Sequence, residues 1–322
     1  MFKWSLARLN GIESTMMHLR RQFLKTLAVA PLAVTSTHLA EASPIKKGGT
    51  QFKFSLNTST IRGQKLSLPQ MIDLAARAGY DGIEPWMMEI EAYQKEGNSI
   101  ASLKKRIQDA GIELVDCIGF PTWLAQDEAK SKQGFEQMEK EMGVLAELGC
   151  TRVAAPAIGA EAPLDLLQAG EKYKRLLTLG RKTGVMPQLE FWGAFPAFYH
   201  LAQAMAVAAA ADDADAKILA DVYHLFRGGS GFEGLQLLDG QAIDIFHLND
   251  FPKDIPRTSQ QDKDRVFPGD GGAPMEELAN RLRDKGGEII LSLELFNPSY
   301  YEMDAAYVVK TGLEKMKRFF KS

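Results

Sequence analysis

From Phe52 onward the chain alternates short β-rich runs with amphipathic helical stretches, and no long linker or low-complexity segment breaks the rhythm. Such alternation is the mark of parallel strands joined by crossover helices. Strands are predicted over residues 52–58, 82–86, 112–120, 151–157, 185–191, 217–223, 242–248 and 288–295. Helices are predicted over 68–78, 99–110, 125–148, 164–182 and 304–320. The first of these carries Met71, Ile72, Leu74, Ala75 and Ala78 at helical spacing and stops at Gly79. A short sixth helix is expected after the glycine-rich stretch 227–234, and 249–274 reads as one long loop, a length that usually serves function. Eight such units in about 280 residues fit a single (β/α)8 TIM barrel. The competing doubly wound sheet needs a glycine-rich phosphate turn after its first strand, and Asn57-Thr58-Ser59-Thr60 is no such turn.

Residues 1–42 stand outside that pattern. Arg20-Arg21-Gln22-Phe23-Leu24-Lys25 precedes a mildly apolar run and the small-x-small Ala40-Glu41-Ala42, the layout of a twin-arginine signal peptide cleaved after Ala42. Met16 and Met17 lie just ahead of the arginines, so residues 1–15 read as a mis-called start. The apolar run is shorter than the ~20 residues of a membrane span and holds Thr35, Ser36, Thr37 and His38, so no stable membrane anchor is expected. The expectation is a periplasmic protein whose barrel occupies 43–322. That segment carries 33 basic against 39 acidic residues, a balance of −6 that repels phosphate backbones and argues against nucleic acid. Cys117 and Cys150 each lie in an apolar stretch, toward opposite ends of neighbouring strands, and are expected as two buried thiols.

Four metal-ligating side chains fall at the same place in four successive strands: Glu190 in Leu-Glu-Phe-Trp, Asp221 in Ala-Asp-Val-Tyr-His, His247 in Phe-His-Leu-Asn-Asp and Glu294 in Leu-Glu-Leu-Phe. Parallel barrel strands converge on one face at these ends. Any one of the four alone reads more simply as a rim carboxylate or a structural histidine. Three inward carboxylates at adjacent strand ends, however, repel one another unless a cation lies between them. One divalent metal is therefore expected, with Mn²⁺ favoured and Zn²⁺, Co²⁺ or Mg²⁺ compatible with the donors.

His224, three residues past Asp221, reads equally as a donor to a substrate oxygen or as a histidine bracing a loop. Arg265 precedes a Phe-Pro-Gly-Asp-Gly turn that would fix its direction, although its charge-rich loop also suits a solvated ion pair. Trp86, Trp123 and Trp192 fall near strand ends, where they would wall a sugar ring or simply pack the barrel top. Glu84 ends the second strand and is a weaker candidate for binding a hydroxyl or anchoring a loop.

The segments around Glu190, Asp221, His247, 264–271 and 293–301 resemble the xylose-isomerase-like barrels of the sugar phosphate isomerase/epimerase superfamily, and within it most resemble the 2-keto-myo-inositol (inosose) isomerases. The resemblance implies Glu190, Asp221, His247 and Glu294 as metal ligands, with His224 and Arg265 lining the substrate pocket. It implies also that Glu190 and Glu294 flank the substrate and exchange its proton through a metal-stabilised enediolate. Abstracting a proton beside a carbonyl needs a positioned base and an electrophile, which agrees with those roles.

Two departures narrow the reading. Family ketohexose epimerases often carry a second glutamate soon after the fifth-strand ligand, and residues 191–198 contain no acid. No basic cluster stands ready to clamp a phosphate. The expected activity is isomerisation or epimerisation of an unphosphorylated keto-sugar or keto-cyclitol. The alternative is a lyase or dehydratase that eliminates a β-substituent from a keto-sugar or keto-glycoside, an alternative that export makes relevant. A DNA-repair endonuclease on this fold binds three zinc ions through many histidines, whereas the mature chain has only His200, His224 and His247. A non-catalytic sugar-binding protein would not need the four ligands. The partner expected is a small carbohydrate or cyclitol, with a homo-oligomer left open.

Overall fold

A computed structural model describes residues 49–320. Its eight parallel strands are β1 (Gln51–Asn57), β2 (Gly82–Glu84), β3 (Glu113–Leu114), β4 (Arg152–Pro156), β5 (Met186–Glu190), β6 (Lys217–Asp221), β7 (Ile245–Leu248) and β8 (Glu288–Leu293). They follow the order β3-β2-β1-β8-β7-β6-β5-β4. The sheet closes where Ala154 N–H donates to Cys117 O at 3.0 Å, so the chain forms a (β/α)8 barrel.

Side chains alternate across each strand. Leu56, Ile83, Val153, Leu189, Ile218, Phe246 and Leu291 face the helices and belong to the main core. Their neighbours face the barrel axis, where Val115, Ala154, Leu219, Ile245 and Ile290 form a separate buried cluster. Below that layer, at the strands' N-terminal ends, ion pairs cross between strands. Lys53 meets Glu113 and Glu288, while Asp244 meets Arg152 and Lys217. The barrel is therefore a packed plug with its strand C-termini free to build a site.

The surrounding helices are α1 (Leu68–Ala78), α2 (Met87–Lys95), α3 (Ile100–Ala110), α4 (Glu128–Leu148), α5 (Leu166–Thr183), α6 (Leu201–Ala211), α7 (Val222–Arg227), α8 (Met275–Arg283), α9 (Pro298–Tyr301) and α10 (Ala305–Phe320). Side-chain caps set several starts: Ser99, Asp127 and Asp165 accept backbone N–H groups of the first turns of α3, α4 and α5.

Three expectations change. The third strand shrinks from 112–120 to two residues, because past Leu114 the chain leaves the ladder and keeps only isolated contacts such as Trp86 with Ile118. Helices α2, α6 and α8 were not anticipated; α6 is so rich in alanine that it offers little apolar–polar contrast. Between the glycine-rich stretch and β7 there is no α-helix. Short α7 precedes the stretch instead, started by Asp221 and ended at Gly228, and only a 3-10 turn (Glu233–Leu237) comes after.

Both cysteines are free and buried, as expected. Among the described residues no helix is long and apolar enough to cross a membrane. The signal peptide expected over residues 1–42 lies outside the described residues.

Candidate metal centre and active site

Glu190 and Asp221 are the last residues of β5 and β6, His247 lies in β7, and Glu294 follows β8. Register pairs Asp221 with His247 and His247 with Ser292, which sets Glu294 two residues further along on the same inward face. All four side chains are buried. His247 Nδ1 lies 3.2 Å from Glu294 Oε2, 3.8 Å from Glu190 Oε1 and 3.9 Å from Asp221 Oδ2. Asp221, His247 and Glu294 each offer a ligand atom within 4.8 Å of the others. Glu190 stands at the edge of this trio.

Glu84 explains why the imidazole points that way. Its Oε1 lies 2.9 Å from His247 Nε2, and its other oxygen accepts the Ser292 hydroxyl. With Nε2–H donated to Glu84, the lone pair sits on Nδ1, and that atom has no hydrogen-bond partner, as is also true of Glu190 Oε2. A buried lone pair aimed at three carboxylates requires a cation among them, either a proton or a metal ion. Burial pulls the His247 pKa down, but Glu84 and Glu294 drive it well above the usual imidazole value. Burial pushes Glu190 up to about 8, His247 opposing the shift and Glu294 adding to it. Burial would raise Glu294 too, yet His247 and Arg265 hold it below the usual carboxylate range. One imidazole nitrogen and three carboxylate oxygens fit a divalent ion such as zinc or manganese.

Arg265 is buried at the same place. Its Nη1 donates to Asp221 Oδ2 at 2.9 Å and Glu294 Oε2 at 2.7 Å, and its Nη2 to Asp262 Oδ1 at 2.6 Å. The guanidinium lies over the rings of Tyr223 (4.6 Å) and Phe296 (5.0 Å). The loop that carries it is tied down by Asp250, whose carboxylate accepts N–H groups of Phe251, Gly269, Gly271 and Ala273 at 2.8–3.0 Å. Gly271 permits this closeness, since a Cβ there would fall 2.2 Å from Phe251 O. His224 Nδ1 accepts Gly193 N–H at 3.2 Å, which places the proton of the neutral ring on Nε2. Burial lowers the His224 pKa, so this neutral form is favoured and Nε2–H is a donor at the cavity. Its 3.2 Å approach to Arg265 Nη2 is then a meeting of two donors.

Glu190, Glu294, His224, Arg265 and Asp262 floor a cavity of about 410 Å³ whose upper wall is Trp86, Ile118, Phe120, Trp192, Phe195 and Phe296. Trp86 and Trp192 thus stand where a sugar face would lie. Trp123 does not: it is fully buried, donates Nε1–H to Pro156 O at 2.7 Å and packs beside Tyr173. Glu84 does not line the cavity either, because its carboxylate is spent on His247 and Ser292. Three polar contributors escaped the sequence reading. Asp262 braces Arg265, Asn249 donates to Asp221 Oδ2 at 2.8 Å, and Asn57 Nδ2 lies 3.4 Å from Glu294 Oε1. Asp262 could have been found, three residues before an arginine; the asparagines carry no local signal.

Comparison with known proteins agrees with this architecture. An inosose isomerase of Bacillus velezensis is 27% identical over 254 residues, covering 77% of this chain and 90% of that one. A 3-dehydroshikimate dehydratase of Pseudomonas aeruginosa is 26% identical over 257 residues, 76% of this chain but 38% of that protein. Among solved structures, the IolI protein with a bound zinc atom matches with a TM-score of 0.78 at 24% identity, over 84% of this chain and 100% of that one. Residues 72–319 match the model of one family, and with most of its length so matched the chain belongs to the xylose isomerase-like TIM barrel family.

Proposed function

We propose that this protein is a metal-dependent isomerase or epimerase of an unphosphorylated keto-sugar or keto-cyclitol. The observation that carries the reading is the unpartnered His247 Nδ1 facing Glu190, Asp221 and Glu294, two of which, Glu190 and Glu294, line a cavity. Those four residues would hold the ion, with Mn²⁺ favoured on donor chemistry and Zn²⁺, Co²⁺ and Mg²⁺ compatible. When bound, the ion supplies an electrophile for the negative charge that develops on a carbonyl oxygen. Glu190, at the end of β5, and Glu294, just past β8, both line the cavity floor and can take and return a proton at the carbon beside that carbonyl. His224 Nε2–H can donate to a substrate oxygen, and the aromatic wall can cover a ring face and exclude water. Arg265 is the one arginine or lysine lining the cavity among the described residues, and a single guanidinium is not the cationic cluster that clamps a phosphate, which favours a substrate without one. The relatives named inosose isomerase support the substrate class.

Elimination is the second reading, supported by the dehydratase relatives. Both reactions start with the same proton abstraction; in elimination the electron pair then expels a neighbouring group. The twin-arginine pattern supports a periplasmic setting for this activity.

Mn²⁺-loaded protein given inosose or a 3-keto-glucoside in deuterated water is expected to wash deuterium into the carbon beside the carbonyl. Glu190→Gln and Glu294→Gln are each expected to slow that exchange at least about a hundredfold. Exchange at the parent rate in both would show that neither carboxylate moves the proton. Product mass separates isomerisation, which conserves it, from elimination, which releases a fragment.

A further inference from the structure

Arg265 grips two of the three carboxylate oxygens that lie within 3.9 Å of His247 Nδ1. Its Nη1 bonds Asp221 Oδ2 (2.9 Å) and Glu294 Oε2 (2.7 Å), and these are the atoms lying 3.9 and 3.2 Å from the imidazole nitrogen. Metal–oxygen bonds run about 2.0–2.2 Å, so an ion held by both oxygens lies within about 5 Å of Nη1. Inside a buried site two cations at that separation repel strongly. The arginine also has somewhere to go. Its Nη2 already reaches outward to Asp262, whose side chain is 54% exposed at the cavity margin, and Tyr223 and Phe296 offer ring faces along which the guanidinium can slide. Its Nε, though buried, has no partner, so nothing at that end of the guanidinium fixes the orientation.

We propose that Arg265 is a built-in competitor for the metal: its guanidinium and the divalent ion are alternative occupants of the Asp221–Glu294 carboxylate pair, and metal loading swings the guanidinium out into the substrate cavity. The inference rests on the metal reading of the site. It makes Arg265 a residue that sets metal affinity and that becomes available to a substrate oxygen only in the loaded protein. Before loading, the same bonds keep two buried carboxylates paired, which protects the fold from uncompensated charge.

The test is zinc binding to the chelator-stripped full-length protein, followed by titration calorimetry, in the parent and in Arg265→Met. Relieved of a competitor that makes two charge-assisted bonds, the variant is expected to bind Zn²⁺ about tenfold more tightly or better. Equal or weaker binding overturns the proposal, because it means that the guanidinium shares the oxygens with the ion or supports it. Thermal melting of the variant checks that it folds. The parent protein gives a second measurement that needs no variant: modification by phenylglyoxal, read at Arg265 by peptide mass mapping. Arg265 is 1% exposed here, and Zn²⁺ is expected to raise its reactivity severalfold; unchanged or deeper protection overturns the proposal. A parent that binds no zinc at all sinks the metal reading itself, an outcome distinct from unchanged affinity in Arg265→Met.

Discussion

Replacing Glu84 by glutamine exchanges one oxygen for an amide nitrogen at a fully buried position 2.9 Å from His247 Nε2. If Glu84 fixes the imidazole so that Nδ1 faces the metal, the cost appears in metal affinity. A hydrogen bond to a charged group contributes about 1.5–3 kcal/mol, and a neutral one about half of that, so the amide, which still accepts Nε2–H, gives up about 1 kcal/mol. That is roughly a fivefold loss of affinity. Glu84→Ala goes further. It removes the bond outright and strands both the Nε2–H and the Ser292 hydroxyl, so a loss on the order of a hundredfold is expected, at the upper end of what outer ligand partners contribute. The assay is Zn²⁺ titration of stripped protein against a chelator of known affinity, with KM measured on the reloaded variants. The order parent, glutamine, alanine is the signature. Should both variants bind zinc as the parent does while KM rises, Glu84 would be meeting substrate and the positioning argument would be wrong.

Asp250→Ala removes the acceptor of four backbone N–H groups and should destabilise the protein by about 3 kcal/mol, read by urea unfolding, with new proteolytic cleavage between residues 250 and 273. Phe120→Ala, at the cavity mouth, should raise KM roughly threefold or more while leaving kcat and zinc affinity close to the parent's. Burial pushes Cys150 up to about 12 and Cys117 well above its usual value, so neither forms the reactive thiolate at pH 8. A thiol-specific disulfide reagent should therefore label neither cysteine in folded protein and both after denaturation.

The barrel was legible because its strands announce themselves as apolar runs and the topology delivers their C-terminal ends to one place. Glu190, Asp221, His247 and Glu294 could be brought together without coordinates for that reason. What the topology does not encode is which way a side chain points once its strand has ended. Trp123 lies in the loop past β3, where alternation no longer governs direction, and it turned into the core. Glu84 does obey the alternation and faces inward, but its partner is 163 residues away, and only the depth of the two side chains decides whether it meets substrate or His247. The grip of Arg265 on two ligand carboxylates likewise depends on the Asp250 clamp, which gathers residues from 251 to 273 around one carboxyl group.

Among the described residues, the cross-strand ion pairs at the lower end of the barrel, with the apolar layer above them, close that end, so the cavity opens at the strands' C-terminal face. Substrate, product and any released fragment must share that opening, so they pass in sequence rather than in flow. A two-part product would leave outermost piece first, and that piece, rebinding among Trp86, Phe120 and Trp192 while the inner piece still occupies the floor, should inhibit noncompetitively against substrate, whereas the inner piece, last to leave, should compete with it.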